Sequence, residues 1–578
     1  MPNFYTDNND LKFILHNIDL QEILKYRENN YKETEKYNHA PENYADAIDS
    51  FHRVLEIAGD LCANRIAPRA EDVDKEGAKC VDGKVTYAAG TYENLKELTQ
   101  ADLMGAMLPR EYGGLNMPVT VYSIMNEMVS QADASLQNLF GLQDIAETIS
   151  KFGTDEQKAY YLPKFSSGEV DGAMSLTEPD AGSDLQAVQL KARYDKETDK
   201  WYLNGMKRFI TNGCAKVHLV LARSEEGSKD GRGLSTFVCE ADERLVVRRI
   251  EDKLGIHGSP TCELQFNDVP AELIGKRRRG LSRYVMSLMN GARVAISTQA
   301  IGIAEAAYRE GLKYAGEREQ FGKSIDKFPA VYEMLLSARS RIAAARVLLY
   351  NTCKYVDYRD MYEELYERDT ADLPEGLDKK KIRTELKRYT KIAAVLTPLS
   401  KAFSTELANK VAYDTIQIHG GTGFMRDFPA ERFYRDARIT NIYEGTTQLQ
   451  YVAAIGGVMQ KTLAPMMDEL SHIPFEGRLR RLASKVDVMR ENLYNAIEFI
   501  SNKHDQEYHD LMAGRLCEME IAVYVSYLML RDANIDSVRV DLTERYILDI
   551  LPKAQMDYSV IMRGDVSIID NKKNILSY

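Results

Sequence analysis

The sequence predicts a mostly α-helical protein with a β domain set into its middle and a further helical segment at its end. Three observations carry that reading. Apolar residues recur at helical spacing from residue 45, short β-branched runs separated by Asn-Gly turns follow after about residue 170, and long Ala-rich helical stretches begin at Leu281. With 578 residues the chain exceeds what one hydrophobic core serves. We divide it into an N-terminal extension (1–44), an N-terminal α domain (45–170), a middle β domain (171–275), a helical bundle (280–461) holding a charged insertion at 357–387, and a C-terminal α-helical extension (462–578).

In the α domain, Ala47, Phe51, Val54, Leu55, Ala58 and Leu61 form one helical stripe that ends at Pro68. A breaker cluster ends at Gly113-Gly-Leu-Asn116, and helical periodicity resumes over Val119 to Ile149. Strands are predicted at Trp201–Leu203, Val217–Ala222, Ser235–Glu240, Leu245–Ile250 and Cys262–Phe266, with turns at Asn204-Gly205 and Asn212-Gly213. The helix over Asn290–Arg318 carries Ala295, Ala300, Gly302, Ala304, Ala306 and Ala307, small residues that let neighbouring helices approach closely. Further helices are expected over Val331–Val356 and Tyr389–His419. The charged stretch between them, broken by Pro374 and Gly376, reads as an exposed helical excursion.

Composition narrows the function. Lys plus Arg is 75 against 87 Asp plus Glu, a net charge of −12, which argues against general affinity for nucleic acid or anionic membranes. The basic run Lys276-Arg-Arg-Arg279 reads as a solvated loop, with a docking point for a phosphate group or an acidic partner as the alternative. The seven cysteines show no Cys-x-x-Cys pair and no close His, so neither a zinc site nor a disulfide framework is indicated, and no metal is expected. The polar first ten residues do not read as a secretory signal, and no stretch approaches the roughly 18 apolar residues that cross a bilayer. A soluble cytoplasmic protein is expected.

Three clusters could carry chemistry. Met174-Ser-Leu-Thr-Glu-Pro-Asp-Ala-Gly-Ser-Asp184 bares backbone N–H groups and the hydroxyls of Thr177 and Ser183, donors suited to flavin edge atoms and a pyrophosphate, or to a plain structural turn. In Arg208-Phe-Ile-Thr-Asn-Gly213, Phe209 and Thr211 are two apart and project to one side of a strand, either as a stacking platform or as ordinary packing. Gln417-Ile-His-Gly-Gly-Thr-Gly-Phe424 is followed by Asn441-Ile-Tyr-Glu-Gly-Thr-Thr-Gln448, where a carboxylate in a loop beside glycine is a reasonable general base, though a solitary Glu is usually just exposed.

Taken together, and with Arg318-Glu-Gln-Phe-Gly-Lys323 between them, these motifs resemble the acyl-CoA dehydrogenase family in order and spacing along roughly residues 45 to 460. The opening segment, the insertion and the tail are similar to the long bacterial subgroup with an added C-terminal domain. The resemblance implies an α-helical N-terminal domain, a β-barrel-like middle domain and a C-terminal four-helix bundle. It implies FAD as cofactor and Glu444 as the base that takes the α proton of an acyl-CoA thioester. Some members place the base immediately before an Arg on a helix; the matching pair here, Ala292-Arg293, has no carboxylate, which leaves Glu444.

The resemblance further implies that Met174, Leu176, Thr177, Gly182 and Ser183 line the flavin and pyrophosphate, that Phe209 (Trp in many relatives) and Thr211 lie against the isoalloxazine, and that Thr446 and Gln448 reach it from the catalytic loop. Arg318, Phe321, Gln417, Gly420 and Gly421 match residues that hold FAD from a neighbouring subunit. Ser183, Asn290, Arg293, Tyr443 and Gly445 match substrate-side positions. An obligate homo-oligomer follows, a homodimer (or homotetramer); the tail either covers the surface by which smaller relatives pair dimers into tetramers, which favours the dimer, or binds a membrane or partner. The implied activity is α,β-dehydrogenation to the trans-2-enoyl-CoA in fatty acid β-oxidation, with electrons passing to electron-transferring flavoprotein. An acyl-CoA oxidase, a methylthio-acyl-CoA enzyme of the same subgroup, and a flavin-binding regulatory relative are the alternatives.

Overall fold

The computed structural model describes every residue except Gln143, Ala371, Asp372, Glu375 and Tyr578. The chain divides into two compact units, Met1–Ile303 and Ala304–Tyr578.

In the first unit, helices α1 (Asn9–Asn17), α2 (Gln21–Arg27), α3 (Tyr44–Leu61), α4 (Ala70–Glu76), α5 (Ala89–Gln100), α6 (Val119–Ala132), α7 (Ala134–Gly141), α8 (Asp144–Phe152) and α9 (Asp155–Ser166) surround or precede a β domain. The predicted stripe on α3 is buried at Ala47, Phe51, Leu55 and Ala58. Past Leu61 the chain does not stop at Pro68: a π turn (Cys62–Ile66) and a 3-10 turn lead into α4, because proline is tolerated in the first turn of a helix. The single helical span expected from Val119 to Ile149 is three helices, interrupted where Asp133 caps α7 by accepting from the Ser135 and Leu136 N–H groups.

The opening 40 residues are tied down. Asn3 Nδ2 donates to Glu56 O (2.9 Å) and Tyr5 O–H meets His52 Nδ1 (2.5 Å), fixing residues 3–5 to α3. Arg27 donates to Asn116 O and Met107 O, clasping the breaker loop.

The β domain contains β3 (Gly172–Ser175), β4 (Lys191–Asp195), β5 (Lys200–Thr211), β6 (Val217–Arg223), β7 (Leu234–Glu240), β8 (Leu245–Ile250) and β9 (Thr261–Ile274); β1 (Lys79–Val81) and β2 (Lys84–Thr86) form a separate hairpin. Strands β6, β4, β5, β9 and β7 pair in that order, and β7 pairs back to β6, so the sheet closes into a barrel. The period-2 rule is visible on β6: Val220 and Ala222 point into the barrel with Phe237, Leu264 and Phe266, whereas Val217 and Leu219 pack on Ile145, Ile149, Leu162 and Phe165 of α8 and α9. The strands at 217, 234, 245 and 261 lie where the sequence put them; β5 and β9 run longer, and β3 and β4 had no prediction. The run Lys276–Arg279 is an exposed loop in which Arg277 pairs with Glu225 (2.6 Å).

A π turn (Gly280–Val285) leads into α10 (Met286–Glu317), which crosses the division between units. The second unit adds the small hairpin β10 (Glu319–Gln320)–β11 (Lys323–Ser324), then α11 (Pro329–Glu367), α12 (Lys379–His419), α13 (Ala430–Thr440), α14 (Thr447–Met459), α15 (Ala464–Ser471), α16 (Gly477–Lys503), α17 (Gln506–Ile535), α18 (Val540–Arg563) and α19 (Ser567–Leu576). The expectation of an exposed excursion from residue 357 is corrected: α11 continues unbroken to Glu367 and buries Tyr358, Met361, Tyr362 and Leu365. Their i, i+3, i+4, i+7 spacing is a core stripe, and Tyr389 of α12 stacks on Tyr358 with ring centroids 4.6 Å apart. Helix α17 is buried on every side from Met519 to Leu530 and packs against α14, α16 and α18, so the C-terminal extension shares one compact unit with the bundle. Among the described residues no helix is long and apolar enough to cross a membrane.

Candidate functional site

In the first unit the site residues cluster where β3 runs out into the 176–184 turn beside the end of β5. The turn is held by reciprocal Glu178 and Ala181 backbone bonds (3.1 Å each) and by Arg208 N–H donating to Thr177 O (2.9 Å). Lys207 completes the weld. Its fully buried ammonium donates to Leu176 O (2.8 Å) and Glu178 Oε1 (2.9 Å), while the Glu178 carboxylate accepts from the Gln189 and Leu190 N–H groups. Burial pushes the Lys207 ammonium down to about 8, against the pull of Glu178.

Phe209 sits in a β-bulge. Lys207 pairs with Leu264 and Ile210 with Cys262, so Arg208 and Phe209 together face one residue of β9, and Phe209 takes φ +59°. The bulge breaks simple alternation and turns the Phe209 ring outward, 52% exposed, with the Arg208 guanidinium 4.7 Å from its centroid. Arg208 is itself held by Glu251 (3.0 Å). A large apolar ring displayed on a strained backbone position suits a flat ligand better than it suits packing. Thr177 is half-buried, Gly182 and Ser183 are exposed, and Thr211 ends the strand. The Leu176 side chain belongs to the core with Ala181, Leu185 and Val188, and Met174 packs on that same cluster. Ser175 and His218 form a pair that resembles a nucleophile and base at 3.0 Å. Both are sealed in the sheet, with His218 Nε2 donating to Ala215 O, and burial pushes the imidazole down to about 4. On α10, Arg293 Nη1 donates to Asn290 Oδ1 (3.2 Å).

In the second unit, Glu444 and Gly445 link α13 to α14, both with left-handed backbone, φ +53° and +92°. Tyr443 N–H still bonds Ile439 O, and Thr446 caps α14 by accepting from Leu449 N–H. The turn is clamped from within. Lys401 Nζ donates to Gly445 O (2.6 Å), and Gln450 Nε2 donates to Gly445 O (2.8 Å) and Glu444 O (3.1 Å). Both side chains are fully buried. Glu406 accepts from Thr447 Oγ1 and Asn441 Nδ2, tying the two ends of the turn together. Glu444 itself is half-buried, and Gln448 is exposed.

The remaining motif residues lie at two exposed corners. Phe321 and Gly322 form the tip of the β10–β11 hairpin with φ +52° and +80°, as a two-residue primed turn requires, leaving the Phe321 ring 94% exposed; Arg318, just before the hairpin, is exposed too. At the end of α12, His419 stacks on Tyr314 (4.1 Å), whose hydroxyl meets Thr422 Oγ1, and this holds the Gly420–Phe424 turn. Among the described residues a Cβ on Gly420 or Gly421 would meet nothing within 4 Å, and Gln417 is exposed beside them.

The sequence pattern missed the four residues that brace these loops: Lys207, Glu406, Lys401 and Gln450. A signal existed for Lys401. It falls in line with buried Thr397, Thr405 and Ala408 on α12, a position where a solvated lysine does not belong.

Family models match in chain order: the acyl-CoA dehydrogenase N-terminal domain over residues 50–169, the middle domain over 173–269 and the C-terminal domain over 294–448, followed by the model described as acyl-CoA dehydrogenase C terminal over 460–545. The chain belongs to the acyl-CoA dehydrogenase family. It is an oxidoreductase of that family. It is 34% identical over 433 residues to 3-methylmercaptopropionyl-CoA dehydrogenase of Ruegeria pomeroyi (70% of this chain, 69% of the relative). It is 33% identical over 413 residues to the short-chain specific acyl-CoA dehydrogenase of Clostridium acetobutylicum (70% and 97%). Among solved structures, butyryl-CoA dehydrogenase of Megasphaera elsdenii matches with TM-score 0.60 at 29% identity (72% and 99%). The acyl-CoA dehydrogenase of Bacillus anthracis complexed with FAD matches with TM-score 0.76 at 24% identity (89% and 88%), a likeness of fold that extends into the added helices.

Proposed function

We propose that this acyl-CoA dehydrogenase oxidises an acyl-CoA thioester to its trans-2-enoyl-CoA, with Glu444 as the base. The observation that carries the reading is the Glu444–Gly445 turn: a carboxylate on a left-handed backbone position, clamped by two buried side chains, in the only Ile-Tyr-Glu-Gly-Thr run of the chain.

An α C–H beside a thioester carbonyl is a weak acid, so a carboxylate removes its proton only if the enolate charge is stabilised as it forms. The Glu444 backbone N–H is the protein's donor to the carbonyl oxygen, and its carboxylate takes the proton. FAD, when bound, supplies the hydride acceptor for the β carbon. The residues that fit FAD are the exposed Phe209 ring, Thr211, the Thr177–Ser183 turn with Met174 and Leu176 behind it, and Thr446 and Gln448. Arg318, Phe321, Gln417, Gly420 and Gly421 serve the FAD of a second copy. Among the described residues no atom lies within 4 Å of a Cβ built on Gly421, which supports that role, since none of them demands a missing side chain there. Asn290, Arg293, Ser183, Tyr443 and Gly445 face the substrate. Electrons leave to electron-transferring flavoprotein, in a homo-oligomer of the cytoplasm that serves β-oxidation.

The test is anaerobic mixing of the FAD-loaded protein with a panel of acyl-CoA thioesters while the flavin's visible absorbance is followed. Bleaching is expected with at least one thioester, and Glu444→Gln retains FAD but does not bleach. A Glu444→Gln protein that turns over at the native rate overturns the assignment. Reoxidation by electron-transferring flavoprotein and slow reoxidation by oxygen are expected; the reverse order makes the protein an oxidase.

A further inference from the structure

We propose that Lys401 and Gln450 are positioning residues for the reaction: together they turn the carbonyls of Glu444 and Gly445 inward and so fix the turn that presents the base, with the Gly445 and Thr446 N–H groups on its opposite face. This rests on Glu444 being the base.

Left-handed backbone at two successive positions, one of them a glutamate, costs on the order of 1–3 kcal/mol and persists only where the surroundings impose it. Here three hydrogen bonds impose it, and all three end on carbonyl oxygens of the turn. A trans peptide holds C=O and N–H on opposite sides, so carbonyls drawn towards Lys401 and Gln450 send the Gly445 and Thr446 N–H groups the other way. Among the described residues neither of those N–H groups donates to an acceptor of the protein. The clamp therefore leaves donors free on the face opposite to the buried pair.

The clamp also explains Gly445. A Cβ there would lie 2.7 Å from Gln450 Nε2, so any other residue displaces the amide that holds both carbonyls. Burying an ammonium is costly, and a neutral donor such as Gln450 suffices for a purely structural hydrogen bond. A lysine beneath the turn adds something more: in its charged form it favours negative charge nearby, which is what the base carries and what the enolate develops.

The experiment isolates proton removal from electron transfer. A 3-thiaacyl-CoA has sulfur in place of the β carbon, so no hydride can leave, while the α protons still exchange with deuterated water through the base. Exchange is measured per FAD-bound molecule by proton NMR, beside FAD content and melting temperature. Lys401→Met is expected to slow exchange roughly 10- to 100-fold with little change in ligand affinity, and Lys401→Arg to recover part of it. Gln450→Met is expected to slow exchange several-fold with the charge intact, and it decides the matter if Lys401→Met does not fold. Normal exchange per FAD in either soluble variant overturns the proposal and leaves the pair as structural. Glu444→Gln is the separate control: if it exchanges at the native rate, the base assignment falls whatever Lys401 does.

Discussion

Arg110 and Glu28 form a bidentate ion pair sealed from solvent, Nη1 to Oε2 at 2.5 Å and Nη2 to Oε1 at 3.1 Å, and it fastens the N-terminal segment to the breaker loop. Glu33 adds a second carboxylate to Arg110 Nη1 at 2.7 Å. Removing one partner of a buried pair leaves an uncompensated charge and costs about 3–5 kcal/mol. Arg110→Met is therefore expected to lower the urea midpoint and expose residues 1–36 to limited proteolysis. Unchanged proteolysis would mean the segment is held by its other contacts, those of Asn3, Tyr5 and Arg27 among them.

Glu520 lies fully buried on α17 with Oε2 unsatisfied, and burial pushes its carboxyl up to about 8. The unfolded side chain ionises near 4.5, whereas the folded one stays protonated, so its contribution is fully present below pH 4.5 and is lost as the pH rises towards 8, by about 1.4 kcal/mol per unit. Glu520→Gln removes that slope. Melting curves between pH 5 and 8 check it: native and variant proteins with parallel pH profiles would contradict a protonated Glu520.

Phe209 is 52% exposed with the Arg208 guanidinium over its ring, so Phe209→Ala should leave the stability of the FAD-free protein within about 0.5 kcal/mol. If the ring stacks on flavin, the same change weakens FAD binding by about 1 kcal/mol or more, whereas Phe209→Trp does not. Fluorescence titration of FAD into the three apoproteins measures this, and equal affinities would remove Phe209 from the cofactor site.

The sequence disclosed elements whose signal is local and missed those decided by context. β6, β7 and β8 are apolar or alternating runs and read directly. β3 is Gly-Ala-Met-Ser, too small and neutral to announce a strand; its pairing comes from β6. β4, Lys-Ala-Arg-Tyr-Asp, looks like loop because only Ala192 is buried. The stripe Tyr358, Met361, Tyr362 and Leu365 was hidden among flanking acids and bases. In the site, Glu444 was legible from its motif. Its clamp was not: Lys401 lies 43 residues before Glu444, and no local pattern connects a helix interior to a distant turn.

The Phe321-Gly322 tip needs positive φ at both positions, and Gly322 at +80° accepts it freely. Gly322→Val is expected to distort the hairpin, while Phe321→Ala keeps its backbone. In a homo-oligomer where this tip reaches a neighbour's FAD, Phe321→Ala weakens both assembly and FAD retention. Sedimentation velocity with simultaneous flavin absorbance tests the two together, and an intact oligomer that keeps its full complement of FAD would place the tip elsewhere.

Lys207 joins residues 176–178, 189–190 and the β5 bulge through one buried cation and the Glu178 carboxylate. Lys207→Met leaves that carboxylate buried without its cation, and a loss of about 3–5 kcal/mol is expected. Stability alone does not reveal whether Lys207 also shapes the FAD turn, so the pair is better tested as a cycle. In Lys207→Met with Glu178→Gln the stranded charge is gone, and a neutral pair can be nearly as stable as the ionic one. The carbonyl of Leu176 still lacks its donor in that double variant. If the turn depends on that bond, thermal stability recovers while FAD affinity stays reduced. If stability and FAD affinity recover together, Lys207 serves the fold and not the cofactor.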